Sequence, residues 1–352
     1  MSAAPPSVGA DSRLLWLDGF RGVAVLLMIQ THVVNTFLAR ELRDPAWFGW
    51  LDYVNGIVAP SFLFIAGFAV GLGMRSGSGK PLALGRKARR LFEILALGYA
   101  LHFPLAELYG GHWKKAWIIG TQVDVLPCIA VALGVLIGLQ WLVQRFSTRT
   151  AEWLWTGALA ALIGLSVIGA EWLRSWENGP APLVAYVNQT TGSLFPLLPW
   201  AAFVFAGAWR GSARVSAHDM GWKLPFLWLC VGFTAAWWRG QSVFSPLSPA
   251  FFLERLAWVL LLAEACQAAR FWKGRVWVRL AGRESLWMYA AHLIVISAFT
   301  SAGIQEASLD FPSLGMMFMA VLAMAFAVVL CKARWVQAII QPGPKGVPAP
   351  IS

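Results

Sequence analysis

Arg21 and His32 stand eleven positions apart inside an otherwise apolar stretch, residues 19–38. An arginine near the centre of a membrane helix costs about 2.5–3.5 kcal/mol on insertion scales, so an ionisable pair there is expected to be functional. At about 100° per residue the two side chains fall within about 20° of one helix face and about 16 Å apart along it. The helix would carry a fixed cation near one end and, deep towards the other, an imidazole able to take a proton near neutral pH.

Further polar groups recur in other apolar runs. Asp18 precedes Arg21 by three positions, a spacing that lets the two pair across one turn. Gln122 and Asp124 open one run in GTQVDVLPC, Glu284 follows Arg283 at the start of another, and His102 and His292 lie within two more. Arg86, Lys87, Arg89 and Arg90 form a basic cluster just before a run. Each has an ordinary explanation. An intramembrane histidine can be an interhelical hydrogen-bond partner, and Arg21 can snorkel to headgroups. His102 and His292 lack a partner nearby in sequence and read better as structural. Helix N-capping or solvation accounts for Asp124, and the basic cluster suits anionic lipid. Taken together, acid, cation and imidazoles spread through the full depth point to a polar passage.

The elements that must position these groups are membrane helices. Of 352 residues 58% are apolar and only 13% charged, whereas soluble domains carry about 25% charged residues. Runs at 19–38, 54–74, 91–108, 124–143, 153–172, 196–209, 224–238, 251–269, 282–303 and 313–332 predict an all-α, polytopic bundle of about ten transmembrane helices. The runs 196–209 and 224–238 are short for a bilayer. Residues 1–18 read as a cytoplasmic segment, 19–335 as one membrane domain and 336–352 as a Pro/Gly-rich, disordered cytoplasmic tail. No internal repeat is visible.

With alternating spans, 20 Lys and Arg fall on one side and 6 on the other, which predicts both termini in the cytoplasm. That asymmetry accounts for the net charge of +11 and argues against nucleic acid as a partner. Trp47, Trp50, Trp113, Trp117, Trp172, Trp176, Trp237 and Trp238 fall at the opposite, outer ends, as an interfacial belt would. MSAAPPSVGADS at the start has no basic n-region, so the first span reads as an uncleaved anchor. The four cysteines are scattered, with no spacing for a disulfide framework or a metal site.

LDGFRGVAVLLMIQTHVV and VAPSFLFIAGFAVGLGM, followed in order by QVDVLPCIAVAL, FPLLPWAAFVFAGAWRG and LAGRESLWMYAAHLIVI, resemble the transmembrane acyltransferase superfamily. The likeness is to its DUF1624 branch, related to heparan-alpha-glucosaminide N-acetyltransferase. It implies transfer of an acyl group, acetyl first among candidates, from cytoplasmic acyl-coenzyme A to a hydroxyl or amine across the membrane. The acceptor would be a glycan or a lipid-linked group, the setting a bacterial cytoplasmic (inner) membrane among its lipids, and homo-oligomers are compatible. In the related acyltransferase-3 branch an arginine and a histidine with this spacing are functional, and Arg21 and His32 match them. The heparan enzyme's catalytic histidine falls after the first span, where this chain has DPAWFGWLDYVNG and no histidine between 33 and 101; His32 aligns with an asparagine.

On this reading His32 is the general base, and Arg21 with Arg86, Lys87, Arg89 and Arg90 holds the donor phosphates. Asp124 or Gln122 orients the acceptor or the imidazole. Direct transfer and an acyl-histidine intermediate both stay open. The alternative is a transporter or flippase, for which Pro60, Pro104 and Pro199 offer broken helices but no duplicated halves are evident.

Overall fold

The computed structural model describes residues 15–75, 83–213, 223–241, 248–269 and 275–340. The segments 1–14 and 341–352, and with them Arg13, Lys345 and most of the expected tail, lie outside the described residues, as do Lys80, Arg214, Arg270 and Lys273. Among the described residues the chain is helical, with one parallel β-bridge between Leu38 and Leu309. The helices are α1 (Leu15–Phe37), α2 (Pro45–Asn55), α3 (Val58–Arg75), α4 (Leu84–Leu101), α5 (Leu105–Tyr109), α6 (Trp113–Gly120), α7 (Val125–Val143) and α8 (Thr148–Trp172). After these come α9 (Ala181–Val187), α10 (Leu197–Ser212), α11 (Lys223–Gln241), α12 (Pro249–Ala268), α13 (Val276–Arg283), α14 (Ser285–Ser301) and α15 (Phe311–Ile340).

Among the described residues five helical stretches are long and apolar enough to cross a membrane: Leu15–Phe37, Ala46–Met74, Val125–Val143, Thr148–Trp172 and Phe311–Lys332. These make the chain an integral membrane protein. The other five expected runs coincide with helices that are shorter, carry more charge or, as in α11, are less apolar. Helices α10 and α14 have 16 and 17 residues, α4 opens on its basic cluster, and α12 contains Glu254, Arg255 and Glu264.

Several boundaries differ from expectation for local reasons. The run at 91–108 is α4 ending at Leu101, because Pro104 cannot donate to a helix and disfavours helical geometry before it; His102 is therefore a C-cap residue and not within a span. The stretch after α1 was expected as loop but forms α2. Asp44 accepts from the Ala46 amide at 2.8 Å and Pro45 occupies the first helical position, a favourable start. Pro60 sits in the first turn of α3 and breaks nothing. Helix α1 starts at Leu15, inside the expected N-terminal segment, and α15 continues to Ile340, into the expected tail.

The chain divides into two compact units where the sequence reads as one domain. The first comprises 1–20 and 56–273, the second 21–55 and 274–352. In the first, α10 is buried almost all round, from Pro199 to Ala208 and again at Gly211, and forms its core. Though short for a bilayer, this helix is central. Gly67 and Gly71 of α3 face Gly207 and Gly211 of α10 so closely that an added Cβ would overlap backbone carbonyls of the other helix. Two GxxxG pairs thus bring the helices into backbone contact. An ion pair with its carboxylate buried, Arg239 to Glu254 at 2.6 Å, joins α11 to α12, and Arg210 to Glu264 at 3.0 Å joins α10 to α12. Seven of the eight expected belt tryptophans are exposed; Trp176 is half-buried.

In the second unit Trp47 of α2 packs at 5.6 Å against Phe311 at the start of α15, with the ring planes inclined at 58°, and Trp277 of α13 meets Phe326 edge-on at 5.6 Å.

Candidate functional site

The second unit brings α1 and α14 side by side in the same direction. Near their starts Gly22 lies against the backbone of Val278 in α13, leaving no room for a Cβ. Beyond their ends, the turn after α14 returns to α1: the amides of Ala307 and Leu309 donate to the Thr36 and Phe37 carbonyls at 2.8 Å each, and the Ala39 amide to Leu309 at 2.9 Å. The Arg43 guanidinium covers further carbonyls at this helix end, those of Asn35 at 3.0 Å and Leu38 at 2.8 Å. Carbonyl groups that a helix terminus would orphan are thereby satisfied.

This parallel arrangement sets His32 and His292 at one level, with ring centroids 5.1 Å apart and planes inclined at 48°. His292 is 0% exposed, and its Nδ1 lies 2.9 Å from the Met288 carbonyl oxygen. A carbonyl only accepts, so Nδ1 carries the hydrogen and Nε2 presents a lone pair. That Nε2 is buried with no hydrogen-bond partner. Tyr289 meets the His292 ring edge-on at 5.7 Å. His32 is half-buried.

Towards the start of α1, Asp18 is 4% exposed and Arg21 half-buried. Glu284, between α13 and α14, accepts from Lys332 at 2.7 Å, and that ammonium stands 4.8 Å from the Trp287 ring centre. Its carboxylate is thus already engaged.

The first unit assembles a second polar cluster. Asp124 is the N-cap residue of α7 but makes no side-chain cap bond; instead its Oδ2 lies 3.6 Å from Nε2 of His102. Capping therefore does not explain this carboxylate. His102 is 41% exposed at its side chain and Asp124 13%; the other His102 nitrogen, Nδ1, faces the Gly98 carbonyl at 3.3 Å. Gln122 donates to the Thr191 carbonyl at 2.9 Å, and the Val123 amide to the Ser193 hydroxyl at 3.0 Å, so the turn before α7 is tied to the segment that follows α9. Tyr99 and Tyr186 share a hydrogen bond of 2.9 Å; burial first, then that bond, pushes the Tyr186 phenol upward, keeping it protonated. In the basic cluster Lys87 donates to Gln140 at 2.9 Å and Arg89 to Glu93 at 2.9 Å, while Arg86 and Arg90 are exposed.

Of the sequence-predicted residues, then, the structure joins His32 to His292 and His102 to Asp124. The sequence reading missed that His292 has a partner; Gly22, adjacent to Arg21 and lacking a side chain, was the available signal that another backbone comes close there. Among the described residues no group of three or more His, Cys, Asp or Glu is placed to hold a metal ion.

A family model described as heparan-alpha-glucosaminide N-acetyltransferase, catalytic, matches residues 13–236. The match takes in α1 to α10 and most of α11, with Arg21, His32, His102 and Asp124, whereas His292 lies C-terminal to it. No curated protein matches the chain.

Proposed function

Since the chain belongs to the heparan-alpha-glucosaminide N-acetyltransferase catalytic family, we propose that it is an integral-membrane acyltransferase that uses acyl-coenzyme A, with acetyl as the first candidate group. Family membership supports the transferase activity, and the long apolar helices support the membrane setting. The observation that carries the mechanism is the Arg21–His32 pair on one face of α1, a cation one turn from buried Asp18 and an imidazole about 16 Å further along.

In the reaction His32 takes the proton of a hydroxyl or amine as its oxygen or nitrogen attacks the thioester carbonyl. The carbon–sulfur bond breaks, and the protonated His32 delivers that proton to the departing thiolate. Arg21 holds donor phosphates. The acceptor is a glycan or lipid-linked group on the far side of the membrane. The basic asymmetry supports an even number of spans, ten on this reading, with both termini in the cytoplasm, and the resemblance to bacterial-type acyltransferases supports a bacterial inner membrane. Residues 19–335 then act as one functional domain despite their two units. The spacing shared with the acyltransferase-3 branch supports the same roles for Arg21 and His32.

Acetyl transfer from radiolabelled acetyl-coenzyme A by the protein in proteoliposomes tests this reading. His32→Gln keeps a hydrogen bond but cannot take the proton, and is expected to lose about 10²–10⁴ in rate while still binding donor. Arg21→Ala is expected to weaken donor binding by calorimetry. Full activity in His32→Gln would refute the assignment of the base. A protein that acetyl-coenzyme A does not stabilise thermally, but that moves a lipid-linked substrate between leaflets, would be a transporter instead. Reporter fusions at Gly77, Gly179 and the C terminus are expected inside, outside and inside; an outside C terminus refutes the topology.

A further inference from the structure

His292 is buried, has its ring orientation fixed, and carries one unused lone pair beside the proposed base. Its Nδ1–H is committed to Met288, one helical turn earlier, so the ring cannot flip without breaking a buried hydrogen bond. Its Nε2 is buried without a hydrogen-bond partner. An orphaned acceptor in a buried site is disfavoured unless something donates to it during function. The nearest ring recorded against it, besides Tyr289 on its own helix, is His32. The ring centroids are 5.1 Å apart and each nitrogen is about 1.1 Å from its ring centre, so nitrogens turned to face one another would stand about 2.9 Å apart, within hydrogen-bond reach. With the planes inclined at 48° no such bond is made; forming it requires the His32 ring to turn about χ2, a torsion with a broad profile.

We propose that His292 is the positioning residue of the acyl-transfer site: its Nε2 accepts the N–H of His32, fixing the His32 tautomer so that the opposite nitrogen is the base. This rests on His32 being the base. When His32 takes the acceptor's proton it becomes an imidazolium, and both of its N–H groups then donate, one to His292 Nε2 and one towards the leaving thiolate. His292 keeps its own Nδ1 hydrogen throughout and gains no charge. A cation confined to the fully buried ring would lack water or a counter-ion, whereas His32 is half-buried and better solvated. His292 thus fills, with a neutral imidazole, the role that a carboxylate plays behind the histidine of a catalytic triad.

Glutamine tests this, because its side-chain oxygen reaches about where Nε2 stands and accepts a hydrogen bond but cannot act as a base. The assay uses acetyl-coenzyme A as donor and glucosamine as probe acceptor, with basal thioester hydrolysis by water as a second measure. His292→Leu is expected to lower kcat about tenfold in both measures, with KM for acetyl-coenzyme A unchanged, and to move the acidic limb of the kcat–pH profile to lower pH as the imidazolium loses its acceptor. His292→Gln is expected to restore kcat to within about threefold and to return the limb. Nitrogen-15 spectra of histidine-labelled protein give a readout that needs no turnover: acidification that protonates His32 is expected to shift the His292 Nε2 signal while Nδ1 stays protonated.

Leucine and glutamine variants that are equally inactive would make His292 itself the base and overturn the proposal. A leucine variant with unaltered kcat and pH limb, or an Nε2 signal indifferent to His32 protonation, would overturn it as well. His32→Ala separates the two levels. If it retains activity, the reading of His32 as base has failed; if it is inactive while His292→Leu matches wild type, only the inference about His292 has failed.

Discussion

Gly22→Ala should impair catalysis without touching either histidine. A Cβ at position 22 would overlap the Val278 carbonyl oxygen and lie 2.7 Å from both the carbonyl carbon and Cγ1 of Val278, where ordinary contacts begin near 3.4 Å. Two of these atoms are backbone of α13, so a rotamer change cannot relieve the clash; α1 must move away by about 1 Å, a form of overpacking that costs about 1–3 kcal/mol. The far end of α1 is tied to the 307–309 turn through Thr36, Phe37 and Ala39, so the helix pivots there. His32 lies 5 residues from Phe37 and Gly22 lies 15, so about a third of the displacement, about 0.3 Å, reaches the imidazole. A misplacement of about 1 Å can cost about 10²-fold in rate, so a loss of about three- to fivefold in kcat is expected here. The assay pairs acetyl transfer with a thermal midpoint in detergent. Gly315→Ala on α15, where an added Cβ meets nothing within 4 Å, is the control. Wild-type stability and kcat in Gly22→Ala would refute the close packing of α1 on α13 and the pivot argument.

Three further outcomes are expected. Gly67→Ala should lower the thermal midpoint by several degrees because its Cβ would stand 2.7 Å from the Val204 carbonyl carbon, whereas Gly157→Ala in α8, with open space, should be neutral or stabilising by up to about 1 kcal/mol; shifts of the same sign would contradict the backbone contact of α3 and α10. Glu254→Gln should destabilise by about 2 kcal/mol in chemical denaturation, less than the about 3–5 typical of a fully buried pair because Arg239 is one third exposed; an unchanged midpoint would count against the pair. Asn188→Ala removes an amide that donates to the Leu173 and Trp176 carbonyls at 2.8 Å each and accepts from Thr190, so limited proteolysis within 173–195 should accelerate; an unaltered cleavage rate would show that this loop is held otherwise.

Much of the helical content was legible because apolar run length reports bilayer thickness, and the runs ending in α1, α3, α7, α8 and α15 carry that signal undiluted. The termini of α2 and α4 were also written locally, in Asp44–Pro45 and Pro104, although the aromatic-rich DPAWFGWLDYVNG reads as a loop until its Asp–Pro start is weighed. Burial of α10 was not legible from its length, because a short apolar helix can be interfacial or central; the four glycines it shares with α3 were the sign of close packing.

For the candidate site, the sequence by itself determined which groups are chemically capable and that Arg21 and His32 share a face, since helical periodicity relates positions along one helix. Family membership was likewise carried by ordered segments that a linear comparison reads directly. Tertiary structure alone decided the partners. His32 and His292 are 260 positions apart, and they meet because Gly22 admits α13 at one end of α1 while the 307–309 turn aligns α14 at the other. Asp124 has the sequence context of a helix cap, yet its carboxylate faces His102. A residue's type and helical phase follow from local sequence, but the partner of a buried polar atom depends on which helices share its depth, and that is fixed only by packing.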